Sequence, residues 1–157
     1  MKSDSAPPDG EELVLDLEEP AESIRSGIVS ALSEFSQSRG VPALMLLHVN
    51  AAHGQLQIHF RPRENITDAD YLPAAVLEFP VWEQASRWSY DRSDGLIVQM
   101  PDGTDALPED CHQFSYLMGA YVCSLVRTAV GGLPEGSLPR QIMVETESGE
   151  FQEEWQP

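Results

Sequence analysis

Apolar residues recur at helical spacing twice and at strand spacing several times along the chain. Ile24, Ile28, Leu32 and Phe35 are separated by four, four and three residues, which places them on one face of a helix. That helix is predicted over residues 20–39. Pro20 suits its first turn, Glu22 lies near its positive end and Gly40 stops it. Residues 43–50 and 55–61 then read as two strands around Ala51-Ala52-His53-Gly54, with Leu56, Ile58 and Phe60 alternating against Gln55, Gln57, His59 and Arg61. Closing the loop on Asn50 and Gln55 pairs Val49 with Leu56, Leu47 with Ile58 and Met45 with Phe60. This register is favoured because it collects the large apolar groups on one side.

The middle of the chain is less periodic. Residues 62–67 read as a connection, in which Asn65-Ile66-Thr67 has the form of a glycosylation triplet but carries little weight without a secretion signal. Residues 74–82 read as a strand interrupted by Pro80. Arg87–Tyr90 and Leu96–Met100 read as a hairpin around Gly95, which can take a left-handed conformation. A second helix is predicted over residues 109–130: Phe114, Leu117, Met118, Tyr121, Val122, Leu125, Val126 and Ala129 form a broad stripe that ends at Gly131-Gly132. Residues 140–146 and 150–155 follow as a final pair of strands around Glu147-Ser148-Gly149.

Hairpin-rich runs with few crossover helices give an α+β fold: a mainly antiparallel sheet with two principal helices packed on one face. Residues 1–19 hold acids, prolines and only the short apolar patch Leu13–Leu17, so they are expected to be a flexible acidic tail whose leucine patch can add an edge strand or dock on a partner, and residues 20–157 a single domain. Removing the tail is then expected to leave the domain folded.

Charge narrows the function. The chain carries 26 acidic and 9 basic residues, a formal net charge of −17, and Lys2 is its only lysine. That balance disfavours direct contact with nucleic-acid phosphates and with anionic membranes. It favours a basic protein surface, although acidity also simply keeps a small protein in solution. The first twenty residues show no apolar run behind a positive start, and Phe114–Val130 falls short of the ~20 apolar residues that cross a bilayer, so a cytoplasmic protein is expected. Cys111 and Cys123, twelve apart on one predicted helix, are too distant for a disulfide and are expected as thiols.

Catalytic signatures are absent. Gly131-Gly132 follows a helix and reads as its C-terminal cap, not as a phosphate loop. His48 and His59 fall diagonally on one strand face, about 7–8 Å apart, yet no complete ligand set accompanies them, so neither metal nor cofactor is expected and chelators should change nothing. Cys111 and His112 are neighbours on a helix and point about 100° apart, and Glu109 and Asp110 oppose a thiolate. No catalytic residue is assigned.

What stands out is a mixture of acids and aromatics near the C-terminus: Glu145, Glu147, Glu150, Phe151, Glu153, Glu154 and Trp155, within a span of eleven residues that holds no basic group. Carboxylates around a tryptophan would select a basic partner, and edge protection of a strand would use the same acids. A second run, Asp91, Asp94, Asp102 and Asp105, continued by Glu109 and Asp110, can join the first on the folded surface. Trp82 and Trp88 are expected in the core or at its rim. The leading expectation is an inhibitor or immunity-type protein that covers the basic active or nucleic-acid-binding surface of a toxin or nuclease. The alternatives are a secretion-chaperone-like homodimer that binds an effector segment, a nucleic-acid mimic, and an enzyme whose site carries no recognisable motif.

Overall fold

A computed structural model describes residues 11–62 and 72–157. Residues 1–10 of the expected tail, and 63–67 of the expected connection, lie outside these. The elements are β1 (Leu13–Asp16), α1 (Ala21–Arg39), β2 (Leu44–Asn50), β3 (Gln55–Arg61), β4 (Leu72–Glu78), α2 (Pro80–Asp91), β5 (Leu96–Gln99), β6 (Asp105–Ala106), α3 (Cys111–Gly131), β7 (Gln141–Thr146) and β8 (Gln152–Trp155). The fold is α+β, with three α-helices and two sheets among the described residues, the strand pairings being mostly antiparallel.

The larger sheet has the order β4-β3-β2-β7-β8. β2 and β3 pair in the register that their apolar alternation demands, Met45 opposite Phe60, Leu47 opposite Ile58 and Val49 opposite Leu56. The same rows extend to Ile142 and Val144 of β7, which runs parallel to β2. These side chains are all buried and form the floor on which α1 and α3 lie side by side. Phe35 of α1 packs on Phe60 with ring centroids 4.7 Å apart. Residues of opposite parity, His48, Gln57, His59 and Glu145 among them, are half-buried on the other face.

Three sequence expectations are corrected. Residues 11–19 are not a loose tail, but their leucine patch does add an edge strand: β1 pairs in parallel with β5, and Leu15 and Leu17 belong to the same hydrophobic cluster as the main sheet. Its alternation of Leu13, Leu15 and Leu17 is a strand signal that the surrounding charge masks. Second, residues 80–91 form a helix, not a broken strand and half of a hairpin. Pro80 sits at its first turn, where a missing N–H costs nothing, and Trp82, Ala85 and Ser89 supply a buried face at helical spacing. Third, β5 therefore has no hairpin partner at 87–90; it lies between β1 and β6. Gly95 does adopt a positive φ of 87°, but in the turn from α2 into β5, where a Cβ would stand 2.8 Å from the Glu11 carbonyl oxygen and 3.0 Å from the Trp88 ring.

α3 begins with Asp110, whose carboxylate accepts the Gln113 N–H at 2.8 Å, a side-chain cap. Its mid-point glycine, Gly119, lies against Phe151, and a Cβ built there would fall 2.6 Å from the Phe151 Cβ. Alanine normally improves a helix interior over glycine by about 1 kcal/mol. Here that gain is outweighed by overpacking, and Gly119→Ala is expected to destabilise the protein by about 1–3 kcal/mol. A denaturant titration that found the variant equal to or more stable than wild type would show that β8 is not held tightly on α3.

Candidate functional site

The β7–β8 hairpin lies along α3, and its turn meets both the start of α3 and the outer face of α2. Between them is a cleft of about 350 Å³. One wall is the outward stripe of α2, where Glu83, Ser86, Arg87 and Tyr90 follow at spacings of three, one and three. The other wall is the first turn of α3, with Cys111, His112 and Ser115. Glu147, Ser148 and Glu150 of the hairpin turn close one side, and Ala51 and Ala52 of the β2–β3 connection another.

Glu150 is the keystone of this junction. Its side chain is only 15% exposed, and its carboxylate receives His112 Nδ1 at 3.0 Å, Ser115 Oγ at 3.0 Å and Thr146 Oγ1 at 3.1 Å. Burial alone would raise its pKa, but the hydrogen bonds from His112, its own backbone N–H, Ser115 and Thr146 prevail and hold it below the ordinary glutamate range. Thr146, itself buried, accepts the Phe151 N–H at 3.1 Å through the same hydroxyl. A carboxyl whose folded pKa lies below its unfolded value contributes stability above the unfolded pKa and loses it as pH falls through the folded one. Glu150→Gln is therefore expected to be less stable than wild type at neutral pH, with the gap closing as pH drops below about 4.5, the ordinary glutamate value. Urea midpoints that differ by the same amount at pH 7 and pH 3 would contradict this.

The remaining acids of the C-terminal segment have separate surroundings. Phe151 is buried, edge-on to Tyr116 with centroids 5.4 Å apart. Glu153 faces α3, where it forms an ion pair with Arg127 and accepts from the Cys123 thiol at 3.5 Å. The Arg127 guanidinium also lies 3.9 Å from the Trp155 ring centroid, so Trp155 is covered by a cation of its own chain. Eleven residues without a basic group in sequence thus acquire Arg127 in space. Glu145 lies on the other face of the sheet, 3.1 Å from His48 Nδ1, and Glu154 accepts from Gln141. Glu147 and Glu154 remain exposed.

The second acidic run lies elsewhere. Asp91 ends α2 and Asp94 pairs with Arg92 at 3.4 Å. Asp102 turns the chain by accepting the Thr104 N–H at 3.0 Å and its hydroxyl at 2.6 Å. Asp105 shares a register row with Gln99 and Asp16. Of this run, Asp105 therefore comes beside Asp16 of β1 on the exposed side of the small sheet, which sequence order does not suggest.

His48 and His59 do share a strand face. His59 Nε2 contacts Gln57 Oε1 at 3.2 Å, and burial, followed by the charge of His48, lowers its pKa against the opposing pull of Glu145. Among the described residues no cluster of three or more His, Cys, Asp or Glu side chains is placed to hold a metal ion, and no helix is long and apolar enough to cross a membrane. Cys111 and His112 line the same cleft, but among the described residues the hydrogen bond of His112 goes to Glu150, and none joins it to the thiol. Cys123 is buried, and burial with the adjacent Glu153 pushes its thiol up to about 11. No family model, curated protein or solved structure matches the chain.

Proposed function

We propose that this chain is a protein-binding module for a basic partner, an inhibitor or immunity-type protein that covers the positive active or nucleic-acid-binding surface of a toxin or nuclease. The observation that supports this reading is how the charge is distributed after folding. Arg25, Arg87, Arg92 and Arg127 are each engaged with an acid of this chain, Glu22, Glu83, Asp94 and Glu153. Asp16, Asp102, Asp105, Glu147 and Glu154 are exposed, and among the described residues none of them is in an ion pair. With these four arginines held by acids of the chain and, among the described residues, only Arg39 and Arg140 exposed outside such pairs, the exposed acids leave a mainly negative field, which speeds encounter with a positive partner and disfavours negative ones.

Glu150 and Glu153 are unsuitable for testing this, since both hold the fold together. The informative variant reverses Glu147, Glu154 and Asp105 to Lys. It should remain folded by circular dichroism and associate with the natural partner at least about tenfold more slowly at low salt, because steering alone accounts for factors of 10 to 10³ in on-rate. An unchanged association rate in a folded variant would sink the reading.

A further inference from the structure

We propose that the cleft between α2 and the start of α3 receives one arginine side chain of the basic partner. This rests on the function proposed above and assigns its anchoring point. At about 350 Å³ the space is at the small end of ligand pockets and suits a single side chain better than a cofactor.

Tyr90 marks the site. It is 76% exposed, contributes nothing to the core, and stands at the rim in the last turn of α2. There the helix carbonyls present their negative end, which attracts a cation. Glu147 lines the same cleft from the hairpin turn, an exposed carboxylate with no ion pair among the described residues. Glu83, on the α2 wall with Tyr90, is held by Arg87 at 3.4 Å, with the two side chains 47% and 71% exposed, a contact that an incoming cation can displace at little cost. Glu150 is held by His112 Nδ1, Ser115 and Thr146 and is not open to a ligand, while the His112 ring itself is 74% exposed. The positive start of α3, which would favour an anion, is already occupied by its own cap, Asp110. Beside Arg87 and His112, which also line the cleft, an aromatic face and the Glu147 carboxylate stand open to a cation. A guanidinium meets both, stacking on the ring while its planar fork binds a carboxylate through two parallel hydrogen bonds. An ammonium lacks the plane and the fork.

Cys111 provides the probe, because it lines the cleft half-buried while Cys123 is buried. The folded protein is treated with N-ethylmaleimide, and labelling of Cys111 is followed by mass spectrometry with N-acetyl-arginine amide or N-acetyl-lysine amide at equal millimolar concentration. The arginine amide should slow labelling several-fold more than the lysine amide, and Tyr90→Ala and Glu147→Gln should each abolish the difference. Equal protection by the two amides, or protection that survives both substitutions, overturns the proposal. The broader reading is tested separately by the salt dependence of partner association. If that dependence persists while Cys111 shows no arginine-specific protection, the cleft is excluded and the acidic surface stands. If it is also lost, both fall.

Discussion

Deleting residues 1–19 should cost the protein most of its stability, the reverse of what their composition suggests. β1 is one of two neighbours of β5, bound along Leu13 to Asp16, and Leu17 N–H continues the pairing to the Gln99 carbonyl at 2.9 Å. Leu15 and Leu17 are 3% and 0% exposed, and each buried leucine contributes about 1.5–3 kcal/mol. The Tyr121 hydroxyl, on the central helix, donates to the Leu17 carbonyl at 2.7 Å. Losing that acceptor leaves a buried polar group unsatisfied at a further cost of about 1–3 kcal/mol. The total is comparable to the whole net stability of a domain, about 5–15 kcal/mol. Thermal melting of the truncated chain should show a broad or absent transition. A melting temperature within a few degrees of wild type would mean that β1 is not integral to the core.

Trp82→Ala should be nearly as damaging, by about 3–5 kcal/mol. Trp82 is fully buried, stacked on Phe79 with centroids 4.3 Å apart and edge-on to Tyr121 at 6.5 Å, where it joins α2 to the main core. Its indole N–H has no hydrogen-bond partner among the described residues. Trp82→Phe removes that unsatisfied donor together with part of the ring, so the two effects offset and its loss should be much smaller. Chemical denaturation of the pair separates volume from hydrogen bonding: equal losses for Ala and Phe would show that the indole nitrogen is satisfied after all.

The elements that could be read from sequence are those whose partner is close by or whose period is long. The β2–β3 register follows from alternation across a four-residue loop, and α1 and α3 from stripes many turns long. What could not be read depends on residues far away. β1 looks too polar to fold on its own, yet β5, 83 residues on, supplies the pairing. α2 is short, and its opening proline imitates an interruption. With Pro80 at a first turn, Glu83, Ser86, Arg87 and Tyr90 fall at three-residue and four-residue spacing and make one wall of the cleft. Glu147 and Glu150 stand out in the sequence by charge, which does not distinguish an exposed carboxylate from one locked by three donors. The cover of Trp155 by Arg127 has no local signal at all.

The ionic-strength dependence of association with the partner isolated by the wild-type chain bears most directly on whether this acidic surface is a binding surface. The partner should be basic, and the association rate constant should fall steeply as salt is raised from low to physiological strength, where the screening length is about 8 Å, while dissociation changes little. A rate constant that stays flat across that range, or a partner without a positive surface, would contradict the proposed function and leave the acids as agents of solubility alone.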